Sequence, residues 1–329
     1  MTARSATVTG PGAIPVLEVG GTHVTAGWVQ PDGWQVSDLT RTELPPDGSA
    51  EALIRTLAAA GAALDAEPGA AWGIAMPGPF DYARGVAHYA GVGKFEALAG
   101  VDVRSALYEA LPQRPGSLCF SNDASAFLVG EWLIGAARGS TRCVAITLGT
   151  GVGSAFLDNG TVVETGPSVP PQAEVHLLSH AGRPLEDWVS RRAIQARYAA
   201  ARGTPDVAGF ADLAGVAGAA GAAGVAGFAA VADVKEIAEL ARAGDQAAAA
   251  TFTDAFRVLG EVLGPWLERF GADLLVLGGS ISRAWDLIDQ PLRRGLSRSS
   301  DCHFSIELAT TPELAPLVGA AYPAVCPTS

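Results

Sequence analysis

Three short glycine-rich loops each follow an apolar run. They are Gly20-Gly21-Thr22 after residues 15–19, Gly149-Thr150-Gly151-Val152-Gly153 after residues 143–148, and Gly278-Gly279-Ser280 after residues 273–277. Such loops suit phosphate binding, because glycine lets the backbone approach an anion closely while amide N–H groups and a Thr or Ser hydroxyl donate to it. One loop alone says little, since a Gly pair between strands is also an ordinary turn or bulge. Two Gly-Thr loops, backed by a Gly-Gly-Ser, could grip one polyphosphate from both sides. A further chemical feature is Ser121-Asn122-Asp123-Ala124-Ser125-Ala126, followed by Gly130-Glu131. Asn122 and Asp123 read as helix caps. They also read as polar groups fixed at the mouth of a cleft, where a carboxylate can accept the proton of an attacking hydroxyl. The phosphate-type loops favour the second reading.

Both Gly-Thr loops sit in the same local design. Residues 15–34 read as strand, loop, strand and an Asp32-Gly33 turn, and residues 143–163 repeat it with a turn at Asn159-Gly160. Asp-Gly and Asn-Gly tolerate the positive φ of tight hairpins, so an internal duplication is legible. Helical periodicity appears at 50–64, at 103–111 and at 122–135, and again at 233–270 as two helices broken near Gly244-Asp245. Strands alternating with helices make the chain α/β. Its 329 residues exceed the roughly 250 at which single cores stop growing, which predicts two domains with a ligand cleft between them. The expected division is a small domain at 15–120, joined by a C-terminal helix at 312–329, and a larger one at 121–311.

The net charge of -12 argues against a nucleic-acid partner, which needs clustered Lys and Arg. Cys119, Cys143, Cys302 and Cys326 show no metal or disulfide spacing, which fits idle thiols in a reducing, cytoplasmic setting. Residues 1–14 are polar and lack the apolar run of a signal peptide, so a short disordered arm is expected. Residues 207–232 are Ala, Gly and Val-rich, with Asp212 inside and glycine every third residue from Gly215 to Gly227. That composition makes a poor membrane helix, and without proline no collagen helix; it reads as a low-complexity insertion in a surface connection.

Leu17-Glu18-Val19-Gly20-Gly21-Thr22, Asn122-Asp123-Ala124 with Gly130-Glu131, the loop from Gly149 to Gly153, and Val276-Leu277-Gly278-Gly279-Ser280 resemble, in order, the motifs of the ROK family of sugar kinases and repressors. The likeness runs on to Gly319-Ala320-Ala321. It implies an actin-like ATPase fold of the duplicated ribonuclease H-like kind, two α/β domains around a nucleotide and sugar cleft. It further implies a glucokinase-like reaction that moves the γ-phosphoryl group of ATP, with Mg²⁺, onto a hexose-type hydroxyl. By the same resemblance Asp123 is the general base. Asn122, Gly78 in the turn at 75–79, Glu174, His176 and Glu186 border the sugar together with Asp123. Glu18, Gly20, Gly21, Thr22, Gly149, Thr150, Gly151 and Gly153 serve the phosphates, while Gly278, Gly279 and Ser280 lie by the adenosine. The implied partners are a small-molecule sugar and a nucleotide, with no nucleic acid and no membrane, and a homodimer is a state that relatives often adopt.

Two departures stand out. The family opens its first loop with Asp, whereas this chain has Glu18, whose extra methylene displaces the carboxylate by about 1–1.5 Å. Many relatives carry E-x-G-H and a cysteine-rich zinc loop; here stand Ala173-Glu174-Val175-His176 and Gly182-Arg183-Pro184-Leu185-Glu186, without cysteine. The register of Glu174 is ambiguous by one residue. These departures leave open a sugar-binding sensor of weak or no activity on the same fold. A repressor would need a DNA-binding extension before the first loop, where residues 1–14 are too few. Polyphosphate as donor would need a basic track, for which Arg138, Arg142 and Arg183 are few. His176 and His180 cannot alone supply the three or four ligands of a zinc site. Elemental analysis of the purified protein should therefore find far less than one zinc per chain, and chelators should leave its melting temperature unchanged; about one zinc per chain would refute this.

Overall fold

The computed structural model describes residues 12–202, 232–301 and 303–326. Most of the expected N-terminal arm and of the insertion at 207–232 lies outside the described residues, as does Cys302. In chain order the strands and helices begin with β1 (Ile14–Val19), β2 (His23–Gln30), β3 (Gln35–Glu43), α1 (Ala50–Ala62), β4 (Ala71–Met76), β5 (Phe80–Asp81) and β6 (Val86–Ala87). There follow α2 (Val103–Ala110), β7 (Ser117–Asn122), α3 (Asp123–Ile134), β8 (Arg142–Leu148), β9 (Val152–Asp158), β10 (Thr161–Val162), β11 (Ser179–His180) and β12 (Arg183–Pro184). The remainder comprises α4 (Glu186–Val189), α5 (Arg191–Ala201), α6 (Val234–Arg242), α7 (Gln246–Phe270), β13 (Leu274–Gly278), α8 (Trp285–Ser299), β14 (Ser305–Leu308) and α9 (Ala315–Val325).

Local chemistry explains most of these boundaries. Side chains of Ser49, Asp102, Asn122 and Asp245 accept amide hydrogen bonds at the starts of α1, α2, α3 and α7. Asp233 and Glu236 form a capping box on α6. Gly244, at φ +95°, breaks α6 from α7, and Gly271 ends α7 in the left-handed conformation. The turn between β9 and β10 places Asn159 and Gly160 at φ 48° and 80°, the positive values that an Asn-Gly hairpin needs. The family resemblance also implies that Glu186 starts a helix running through Trp188 and Arg192, and here the structure differs. Residues 186–192 do not form a continuous helix, because Ser190 adopts an extended conformation (ψ 162°) and caps α5 through Ala193 N–H.

The duplication read from the loops extends to the whole topology. One sheet runs β3-β2-β1-β4-β7 and the other β10-β9-β8-β13-β14, the same order of strands by position in each repeat. β1 pairs antiparallel with β2 but parallel with β4, and β4 pairs parallel with β7. In the second sheet β8, β13 and β14 are likewise parallel neighbours. Parallel strands need crossover helices and are covered on both faces, which is why β13 reads Leu-Leu-Val-Leu-Gly and is buried throughout.

The chain forms two compact units, residues 1–141, 157–162 and 309–329, and residues 142–156 and 163–308. Packing thus divides the chain after α3, whereas the sequence division falls before it. The reason is α9. A methyl carbon on Gly130 would overlap the Ala315 carbonyl, one on Gly319 the Ala126 carbonyl, and one on Gly73 the Ala320 carbonyl. α3, α9 and β4 therefore meet backbone to backbone. Glu131, fully buried, completes the joint: its carboxylate accepts from the N–H groups of Ala136 (2.7 Å), Thr310 (3.2 Å) and Thr311 (3.0 Å) and from the Thr311 hydroxyl (3.2 Å). The second unit uses the same device, Gly260 and Gly295 letting α7 and α8 cross at contact distance. Among the described residues, no helix is long and apolar enough to cross a membrane. Replacing Glu131 with Leu should leave the N–H groups of Ala136, Thr310 and Thr311 without their acceptor and lower stability by about 3 kcal/mol. Glu131→Gln, keeping one acceptor oxygen, should lose less; equal melting temperatures for both variants and the native protein would overturn the assignment.

Candidate active site

In the first unit the strand register builds the site. Glu18 on β1 is level with Ala75 on β4, and Ala75 with Ser121 on β7, so Glu18 and the Asn122-Asp123 step stand at the carboxyl ends of three adjacent parallel strands. Two strand spacings separate the outer pair by roughly 10 Å of backbone, within reach of facing side chains. Ligands of open α/β sheets bind at such strand ends. Gly20 N–H closes the first loop on His23 O at 2.8 Å, and Thr22 Oγ1 lies 2.8 Å from His23 Nδ1. A Cβ on Gly21 would meet nothing within 4 Å. Neither Gly20 nor Gly21 has a positive φ, so nothing within the protein demands glycine at position 21, whereas close approach of a ligand would.

Both carboxyls in this row are held above the ordinary range. For Glu18 burial is the main cause and the Asp123 charge adds to it, against a hydrogen bond from Thr25 and the Arg41 charge. Asp123 is open to solvent at its surface, yet protein mass around it strips hydration from the ionised form and raises its pKa. Lys94 and the Ala124 N–H, 2.9 Å from Oδ1, pull the other way. Asn122 does two jobs. Its Oδ1 caps α3 by accepting from Ala124 and Ser125 N–H (2.9 and 3.1 Å), and its Nδ2 donates to the Tyr82 hydroxyl at 2.9 Å. Gly78 borders both, its Cβ position lying 3.5 Å from the Tyr82 hydroxyl and 3.7 Å from Asn122 Nδ2. Arg104 holds this wall in place by donating to the carbonyls of Tyr82, Ala83, Arg84 and Leu118.

In the second unit Gly149 and Gly151 close a tight loop between β8 and β9, Gly149 N–H donating to Gly151 O at 3.0 Å. Gly278 is level with Thr147 across the β8–β13 pair, which sets the Gly279-Ser280 turn against that loop. Here glycine is obligatory. Gly279 has φ +86°, and a Cβ would overlap the Leu148 carbonyl. Ser280 Oγ lies 3.9 Å from the Gly149 Cβ position, while at the other end Glu186 Oε1 lies 2.7 Å from that of Gly151. Thr150 is exposed at the loop tip and Gly153 lies on β9. Glu174 and His176 are half-buried around a short helical turn that Ser154 staples to β9, its hydroxyl donating to Ala173 O at 2.5 Å and accepting from Val175 N–H at 3.0 Å.

The segment that lacks the family's cysteines is organised by an aromatic stack. The Arg197 guanidinium sits 4.4 Å from the Trp188 ring centroid and that of Arg183 5.4 Å, with the His180 ring edge-on at 5.0 Å. Among the described residues, no cluster of three His, Cys, Asp or Glu side chains could hold a metal. Sequence reading missed Tyr82, Lys94 and Arg191. Tyr82 reaches Asn122 across forty residues through the β5–β6 hairpin, and no spacing signals it. Arg191 donates through its backbone to Gly149 O at 2.9 Å and through Nη2 to Ser280 Oγ at 3.3 Å. Its place next to the capping Ser190 is the only local sign.

Two sheets of one topology, each with a glycine loop at the carboxyl end of its first parallel strand, define the duplicated actin-like ATPase fold. The chain belongs to the ROK family, which it matches over residues 15–324. A glucokinase of Thermotoga maritima is 27% identical over 278 residues, 84% of either chain. A ROK hexokinase from Thermus thermophilus superimposes with a TM-score of 0.71 at 25% identity, covering 94% of this chain and 96% of that one. A ROK family glucokinase from Streptomyces griseus, solved with glucose and AMPPNP, has a TM-score of 0.69 at 24% identity over 94% and 98% of the two chains, a likeness that shows the fold.

The raised carboxyls carry a consequence for stability. The folded state holds their protons more tightly than the unfolded chain does, so their contribution is present below the unfolded pKa of about 4 and is lost as pH rises through the folded values. Asp123→Asn and Glu18→Gln should therefore melt higher than the native protein at pH 8, with the advantage shrinking toward pH 4. Melts showing no gain at pH 8 would count against desolvation at this site.

Proposed function

We propose that the protein is an ATP-dependent sugar kinase that transfers the γ-phosphoryl group to a hydroxyl of a hexose or hexose derivative. The observation that carries the reading is the row of Glu18 and Asp123 at the ends of adjacent parallel strands, beside a glycine loop with room for a ligand. Asp123 is the general base: as the sugar oxygen bonds to phosphorus and the bond to the departing ADP oxygen breaks, its carboxylate takes the hydroxyl proton. A pKa raised above the ordinary carboxylate value strengthens it as a base. The spare N–H of Asn122, the Tyr82 hydroxyl and the narrow wall at Gly78 orient the sugar. Glu174, His176 and Glu186 are further sugar contacts in this reading, and the loops at Gly149–Gly153 and Gly278–Ser280 take the phosphates and adenosine.

Mg²⁺ fits the donor set of the first loop, since the Glu18 carboxylate beside Gly20-Gly21-Thr22 is a hard oxygen ligand. When bound with nucleotide, the ion supplies charge neutralisation and makes the phosphorus more electrophilic. The curated relatives matched along most of the chain are named glucokinases, which favours a kinase over the sensor reading. With a panel of hexoses and aminosugars plus MgATP, Asp123→Asn should lower turnover by roughly 10²- to 10⁴-fold with sugar affinity little changed. Glu18→Asp should lower activity too, because a shorter side chain would draw the carboxylate away from its hydrogen bond with Thr25. If the native protein binds sugar without phosphotransfer from any nucleotide or polyphosphate, and Asp123→Asn behaves identically, the kinase reading fails and a sensor takes its place.

A further inference from the structure

Arg191, in the second unit, is a cation that the family motifs do not account for. Arg191 opens α5, and its own backbone fastens it to the first of the two loops there, N–H to Gly149 O at 2.9 Å. Its guanidinium reaches the other, Nη2 to Ser280 Oγ at 3.3 Å. Among the described residues, no carboxylate lies within ion-pair distance of it. Two other arginines are engaged elsewhere: Arg183 stacks on Trp188 and donates to Asp187 O, and Arg142 donates to Phe270 O while covering the Phe270 ring.

A guanidinium presents five N–H donors in a fixed fork that matches phosphate oxygens. Here one is committed to a serine hydroxyl, and the fork is pinned at the carboxyl ends of β8 and β13. The Glu186 carboxylate is set against this loop at the Gly151 end, whereas Arg191 and Ser280 lie at the Gly149 end. The loop is therefore polarised, positive at one end and negative at the other. A phosphate group is favoured at the Gly149 end, beside the guanidinium. We infer that Arg191 is a phosphate-binding residue for the phosphoryl donor, holding the di- or triphosphate chain at the Gly149–Ser280 end and so setting the direction in which the donor lies along the loop. The inference rests on the kinase reading and adds a residue to it.

Calorimetric titration of the native protein, Arg191→Gln and Arg191→Lys with MgATP, sodium tripolyphosphate and adenosine tests it, alongside steady-state kinetics. Charge-assisted contacts of this kind are worth about 10- to 100-fold in affinity. Arg191→Gln should weaken ATP and tripolyphosphate by that factor and raise the KM for ATP, with the KM for sugar unchanged and adenosine binding within about twofold. Arg191→Lys, which keeps the charge, should recover most of the loss. If the native enzyme is active and Arg191→Gln binds ATP as tightly, the inference falls and the kinase reading stands. Should both variants lose adenosine as much as ATP, the residue is only structural and the inference is overturned. If the native protein binds neither ATP nor tripolyphosphate, both readings fall together.

Discussion

The backbone-to-backbone approach of α3, α9 and β4 is the constraint from which the first half of the site follows. Gly73, Gly130 and Gly319 permit it, and the buried carboxylate of Glu131 locks it by collecting the amides of Ala136, Thr310 and Thr311. Because α3 begins at Asp123, whatever fixes the helix axis also fixes the proposed base. A side chain at any of the three glycines would push helix or strand outward and shift that carboxylate, and shifts near 1 Å are costly to catalysis. The last helix of the chain is thus part of the machinery for a residue nearly two hundred positions earlier.

The electrostatics of the site work against stability and for chemistry. Glu18 and Asp123 are both desolvated, and Asp123 adds its charge to the burden on Glu18. Nothing in the packing requires two acids there. Proteins tolerate such arrangements at sites where the ionised group has a task, and stability suffers accordingly. In the second unit the imbalance has the opposite sign at one end, where Arg191 stands without a carboxylate partner among the described residues.

The 174–190 stretch shows how a loop can be ordered by stacking. Trp188 lies beneath Arg197 and Arg183 with His180 at its edge, and Ser154 ties the turn at Glu174 and His176 to β9. The Glu186 carboxylate lies against the loop, its Oε1 2.7 Å from where a Gly151 Cβ would stand.

Much of this was readable in the chain before any coordinates. The loops at Gly20, Gly149 and Gly278, the capped start of α3 and the Asn159-Gly160 turn are local signals, because a positive φ, a cap or an apolar run is decided by a few neighbouring residues. Their recurrence disclosed the duplication, and their order the family. The tertiary structure decided what depends on distant partners. It assigned α3 to the first unit through α9, broke the helix expected at 186–192 by letting Ser190 cap α5, and brought Tyr82 to Asn122 and Arg191 to Ser280. A hydrogen bond between residues forty or more apart has no periodicity to betray it. It exists only once strands have registered and helices have packed, and that is a property of the whole chain.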